Sequence, residues 1–152
     1  MANRPWHYDL PWNSVRSGYR WMRRTFFTVS KPDGPYFVVD ADLDELRELF
    51  GVRSYAPNWE FSFNYQGEDL NLARVFYDPN RGPDGVDWWQ YHVRAFERDD
   101  GLVEFTGHVE PEPTEHAKPH LRGTGYDTSE AMDEFGRTLD AVPAIDVVED
   151  PR

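Results

Sequence analysis

The chain contains no cysteine among its 152 residues. That excludes disulfides, thiolate nucleophiles and cysteine-ligated zinc, and leaves any metal site to histidine and carboxylates. Lysine is nearly absent too: Lys31 and Lys118 stand against 14 arginines. No apolar run approaches the roughly eighteen residues a membrane span needs, and the opening Met1 to His7 lacks the apolar segment of a secretory signal. A soluble, cytoplasmic chain with no membrane span and no disulfide-linked partner is expected. Catalytic signatures are missing as well. There is no Gly-x-Ser-x-Gly, and no serine has a histidine nearby in sequence. Gly123-Thr-Gly125 lacks the third glycine and following lysine of a phosphate-cradling loop, and reads as a turn. No residue is assigned to catalysis, no cofactor or metal is assigned, and an enzymatic role has no motif behind it.

What the chain does have is aromatic area and acid. Six Trp, eight Tyr and ten Phe are enough for the core of one domain at this length. The 28 acidic residues outweigh 16 basic ones, a net charge of −12. Acid-rich, lysine-poor, cysteine-free composition looks like that of proteins from extreme halophiles, whose acidic surfaces keep them dissolved in concentrated salt. The plainer alternative is a high-GC bacterial protein, in which arginine also displaces lysine. The distinction bears on function, because in molar salt the Debye length is about 3 Å and a basic patch attracts little at a distance. Charge is also unevenly placed. Residues 1–31 hold six bases against Asp9, a charge of +5, so the remaining 121 residues carry −17.

There is no internal repeat, low-complexity tract or long linker. The expected organisation is a basic aromatic arm with a short helix over residues 1–24, a single α+β domain over 25–148, and a fraying tail over 149–152. In the arm, Asn13 can cap a helix with Val15, Tyr19 and Met22 on one side and Arg16, Arg20 and Arg23 on the other. Thr25–Ser30 and Tyr36–Asp40, joined by Lys31-Pro-Asp-Gly-Pro35, predict an amino-terminal hairpin. Asp42 or Asp40 caps a helix over Leu43–Phe50, with Leu43, Leu46, Leu49 and Phe50 inward and Gly51 as its stop.

Trp59, Phe61, Phe63 and Tyr65 alternate with polar residues, the period of a half-buried strand. A type II′ loop at Gly67-Glu68 places Tyr65 opposite Leu70 and Trp59 opposite Phe76, leaving Arg74 as the break in the apolar face. Arg74 reads as snorkelling at an edge, or else as an anchor for an anion. The next pair runs Asp87–Arg98 and Leu102–Glu110, with apolar residues on odd numbers in both strands. Facing residues must then sum to an even number. A three-residue Asp99-Asp100-Gly101 loop, with Gly101 left-handed in a G1 bulge, satisfies this, whereas a two-residue loop does not. The chain closes with a proline-rich connection and a last helix, capped by Thr128 or Asp127, that buries Ala131, Met132, Phe135 and Leu139. The fold class is therefore α+β: an antiparallel sheet of amino-terminal hairpin plus four-strand meander, with two or three helices packed mainly on one face.

That register puts His92 opposite His108 on the face away from the apolar side, with Trp88, Gln90, Arg94, Phe96, Glu104, Thr106 and Glu110 around them. A cross-strand histidine pair can hold a metal if a carboxylate completes it, or respond to pH. The plainer reading is a solvent-facing or arm-covered side that tolerates polar residues. His108, His116 and His120, with Glu110, Glu112 and Glu115, invite a metal reading, and His116 and His120 have the spacing of a helical zinc pair, but Pro111, Pro113 and Pro119 argue against the helix, and Ala117 stands where a metalloprotease has glutamate. The arm is the other candidate. Trp12 and neighbouring aromatics interleaved with Arg16, Arg20, Arg23 and Arg24 suit RNA, a protein partner or an anionic surface. They equally suit docking on the chain's own acidic body. The candidate binding residues are thus Trp12, Arg16, Arg20, Arg23 and Arg24 in the arm and Trp88, Gln90, His92, Arg94 and His108 on the sheet. The expected function is a non-catalytic binding or accessory protein that meets a protein partner or RNA. The alternative is a metal-dependent enzyme or metal-binding protein built on His92 and His108.

Overall fold

The computed structural model describes Met22 and residues 34–58, 67–141 and 145–148. The first strand, β1 (Phe37–Asp40), is a β-branched and aromatic run that ends where Asp42 starts α1 (Leu43–Val52). Asp42 and Glu45 form a capping box: each carboxylate accepts the other's backbone N–H, at 2.8 and 2.9 Å. Leu46, Leu49 and Phe50 are buried, with Leu43 packed at the margin. Gly51 does not stop this helix. It stays helical, and Ser54 takes the left-handed position instead, at φ 68°. The Ser54 N–H bonds the Gly51 carbonyl, the Tyr55 N–H bonds the Phe50 carbonyl, and the two rings meet at 5.1 Å. This is a Schellman ending in which the Phe50–Tyr55 contact offsets the strain of a non-glycine residue.

The sheet has six antiparallel strands: β2 (Ala56–Pro57), β3 (Leu70–Tyr77), β4 (Trp88–Glu97), β5 (Val103–Pro111) and β6 (Asp146–Val148) join β1 in the order β2-β3-β4-β5-β1-β6. With α1, α2 (Ala117–Leu121) and α3 (Thr128–Asp140), this is the expected α+β class. The meander β2 to β5 is present. The Thr25–Ser30 half of the expected hairpin and the Trp59–Gln66 strand lie outside the described residues, as does the arm helix apart from Met22, which is helical and exposed. On the edge of β3 the described pairing is Ala56 with Ala73 and Pro57 with Leu72, a register different from the expected one of Trp59 with Phe76.

The β4–β5 hairpin matches its expected form. Gly101 has φ 85°, the Arg98 N–H bonds the Leu102 carbonyl, and facing residues run from Trp89–Pro111 through His92–His108 to Glu97–Val103. Odd residues of both strands meet α1 and α3. Phe50, Phe105 and Phe135 interlock edge-on or tilted, at 5.8–6.2 Å. Gly107 permits the closest approach: a Cβ there would stand 2.1 Å from the His92 carbonyl oxygen and 2.5 Å from the Phe135 ring. Asp127 caps α3 by accepting the Glu130 N–H at 2.9 Å, and Ala131, Met132, Phe135 and Leu139 are its buried stripe. Gly123 and Gly125, both at positive φ, make the turn that leads into it. Arg74, on this same face, is partly buried and finds its partners within the chain. Its guanidinium lies over the Tyr55 and Tyr91 rings, at 5.0 and 4.8 Å, and pairs with Glu134 of α3 at 2.9 Å.

A short helix forms where prolines argue against one. In α2, Pro119 lies within the first turn, where a missing N–H breaks no helical bond, and the His120 N–H bonds the His116 carbonyl at 2.9 Å. Among the described residues no helix is long and apolar enough to cross a membrane.

Candidate functional site: a buried histidine–glutamate cluster

On a strand, side chains two residues apart share a face, so His108 and Glu110 of β5 project together, and the β4–β5 register sets His92 and Gln90 directly opposite them. All four point away from α1 and α3. Of the two plainer readings of this side, the solvent-facing one does not hold, and the arm that the other invokes lies outside the described residues. Gln90 is 2% exposed, Arg94 6%, and His108 and Glu110 7% each. Burying so many polar groups is tolerable only if they satisfy one another.

They do so around one carboxylate. Glu110 Oε1 accepts from Gln90 Nε2 at 2.8 Å and lies 3.0 Å from His92 Nδ1. Its Oε2 lies 3.1 Å from His108 Nε2 and 3.4 Å from His120 Nδ1. The His92 and His108 rings meet edge to face at 4.9 Å, and the half-exposed Tyr126 stacks on His108 at 4.4 Å. Behind His92 the network continues through β3. His92 Nε2 is 2.8 Å from Asn71 Oδ1, the Asn71 amide donates to Glu68 Oε1 at 2.8 Å, and Glu68 pairs with Arg94 at 3.5 Å. The bond to Glu68 fixes which way the Asn71 amide faces, with its oxygen turned to His92 Nε2.

Burial alone would push the Glu110 carboxyl up, but the bonds from His108 and His92 outweigh it and hold the group well below the usual carboxylate range. His108 is shifted down, chiefly because burial disfavours its charged form; the bond to Glu110 opposes this only in part. The centre is therefore an ionised carboxylate flanked by imidazoles in a dry setting.

The residue types in this set are ones that could hold a metal ion. One atom each of His92, His108 and Glu110 lies within 4.8 Å of the others. Donors about 2.1 Å from a tetrahedral ion stand about 3.4 Å apart. The two histidine–carboxylate separations, 3.0 and 3.1 Å, are within a few tenths of an ångström of that. The Asn71 and Gln90 contacts have the outer-shell form that orients a ligating histidine and carboxylate.

Of the ten residues expected to bind, Gln90, His92, Arg94 and His108 come together here. Trp88 stands 40% exposed at the rim, edge-on to Tyr77. Trp12, Arg16, Arg20, Arg23 and Arg24 lie outside the described residues. His116 and His120 do not act as a pair: His116 Nε2 faces Asp87 and the Trp88 N–H, whereas His120 turns to Glu110 and the Pro111 carbonyl. Glu110 and His120 stand among the residues the sequence offers for a metal, although not as partners of His92; Asn71 and Glu68 do not. Glu110 carried a usable signal, its place two residues from His108 on the same strand face. No family model, curated protein or solved structure matches the chain.

Proposed function

We propose that the protein binds a divalent transition metal of the zinc class through His92 Nδ1, His108 Nε2 and the Glu110 carboxylate. The observation that carries this reading is the convergence of two imidazole nitrogens on one ionised, buried carboxylate at near-ligand spacing. Two nitrogens and an oxygen suit zinc, iron(II), cobalt or nickel better than the all-oxygen ions calcium and magnesium. Contact with a protein partner or RNA through the same face finds less support, because Gln90, Arg94 and His108 are buried and only Trp88 of that group stands out.

Calorimetric titration of chelator-stripped protein with zinc tests the reading. One ion per chain is expected. His92→Ala should weaken binding by well over tenfold, and Asn71→Ala, which removes only the group behind His92, by about 10- to 100-fold. Absence of stoichiometric binding, or equal affinity in a folded His92→Ala variant, would overturn it.

A further inference from the structure

The two oxygens of Glu110 are served differently. Oε1 has one imidazole, His92, and the Gln90 amide. Oε2 has two imidazoles, His108 at 3.1 Å and His120 at 3.4 Å. His92, His108 and Glu110 all come from the sheet, on β4 and β5. His120 comes from α2, which follows β5 and returns this ring to the carboxylate it has just passed. Donors rising from one sheet surface occupy one side of an ion, and a tetrahedral centre needs a fourth donor from elsewhere.

We infer that His120 is that fourth ligand, so that the bound ion is held by three histidines and one glutamate. The inference rests on the metal reading above. In the structure His120 Nδ1 donates to the Pro111 carbonyl at 3.0 Å. Ligation exchanges that bond for the ion: the Nδ1 proton moves by way of solvent to Nε2, so the ring stays neutral, the ring swings toward the group formed by His92, His108 and Glu110, which it stands outside, and water takes over the Pro111 carbonyl. The ring is only 17% exposed, so little ordering is left to be lost when it closes on the metal. His116 plays no part, because its ring is committed to Asp87 and to the backbone at the start of β4. A site of this kind is closed by protein on four sides, the arrangement of structural zinc rather than of a zinc that keeps an open position for water.

The competing role for His120 is that of a positioning residue, which orients the loop after β5 through Pro111 and never touches the ion. X-ray absorption on the zinc-loaded full chain separates the two by counting imidazoles. Three in the wild type and two in His120→Ala are expected, with zinc affinity lowered at least tenfold. His120→Asn keeps an amide donor for the Pro111 carbonyl, so it restores affinity if the role is positioning and does not if the role is ligation. Two imidazoles in the loaded wild type, or rescue by His120→Asn, would overturn the inference and leave the three-residue metal reading standing. Failure of the wild type to take up stoichiometric zinc would overturn both.

Discussion

Glu110 concentrates the chemistry of this molecule in one side chain. Its proton affinity is held down by the rings around it, whereas that of His108 is held down by burial. Both shifts have the same consequence for metal-free protein. Below about pH 6.5 an unfolded His108 takes up a proton that the folded chain refuses, and below about 4.5 an unfolded Glu110 does likewise. The contribution of each group is complete above its unfolded value and is lost as pH falls toward its folded one. Thermal unfolding should therefore show a midpoint that declines in two stages from neutral to acid, with the lower stage removed in Glu110→Gln. A midpoint unchanged between about pH 7 and pH 5 would count against the buried cluster. At this scale the sequence was half legible. The parity of apolar residues in β4 and β5 placed His92 against His108 with Glu110 on the same face, but not the carboxylate as the centre of the cluster. Asn71 and Glu68 could not have been added in that way. Their position depends on the β3–β4 register, and those strands are joined by the long segment 78–87, not by a tight turn that would set it.

Among the elements, β5 and α3 are the pair whose contact fixes the rest. The helix lies so close over Gly107 that any side chain there meets the His92 carbonyl and the Phe135 ring at once. Gly107→Ala is predicted to cost about 1 to 3 kcal/mol, since neither a strand carbonyl nor an interlocked phenylalanine can yield cheaply. Urea unfolding should show a lower midpoint with unchanged slope, and an unaltered midpoint would mean that α3 packs less tightly than described. The helices were readable from their caps and periodicity, as Asp42, Asp127 and the Ala131 to Leu139 stripe illustrate. The insertion of β1 between β5 and β6 was not, because three- and four-residue strands paired across most of the chain carry no local register signal. Gly51 misled for a related reason. Glycine favours a helix end, but the Phe50–Tyr55 contact moved that end three residues on, to Ser54.

Taken whole, the chain sets a charge of −17 over residues 32–152 against +5 over residues 1–31. An acidic field of this size gathers cations of every kind at low ionic strength, so metal uptake in dilute buffer says little about a specific centre. In about 1 M potassium chloride the Debye length shrinks to about 3 Å and that diffuse attraction is removed, while direct ligation is not. The decisive measurement is therefore the zinc retained per chain after gel filtration in that salt, for the wild type and for Glu110→Gln. The proposed centre predicts one ion in the wild type and a small fraction of one in the variant. Equal retention by the two, at any level, would contradict it.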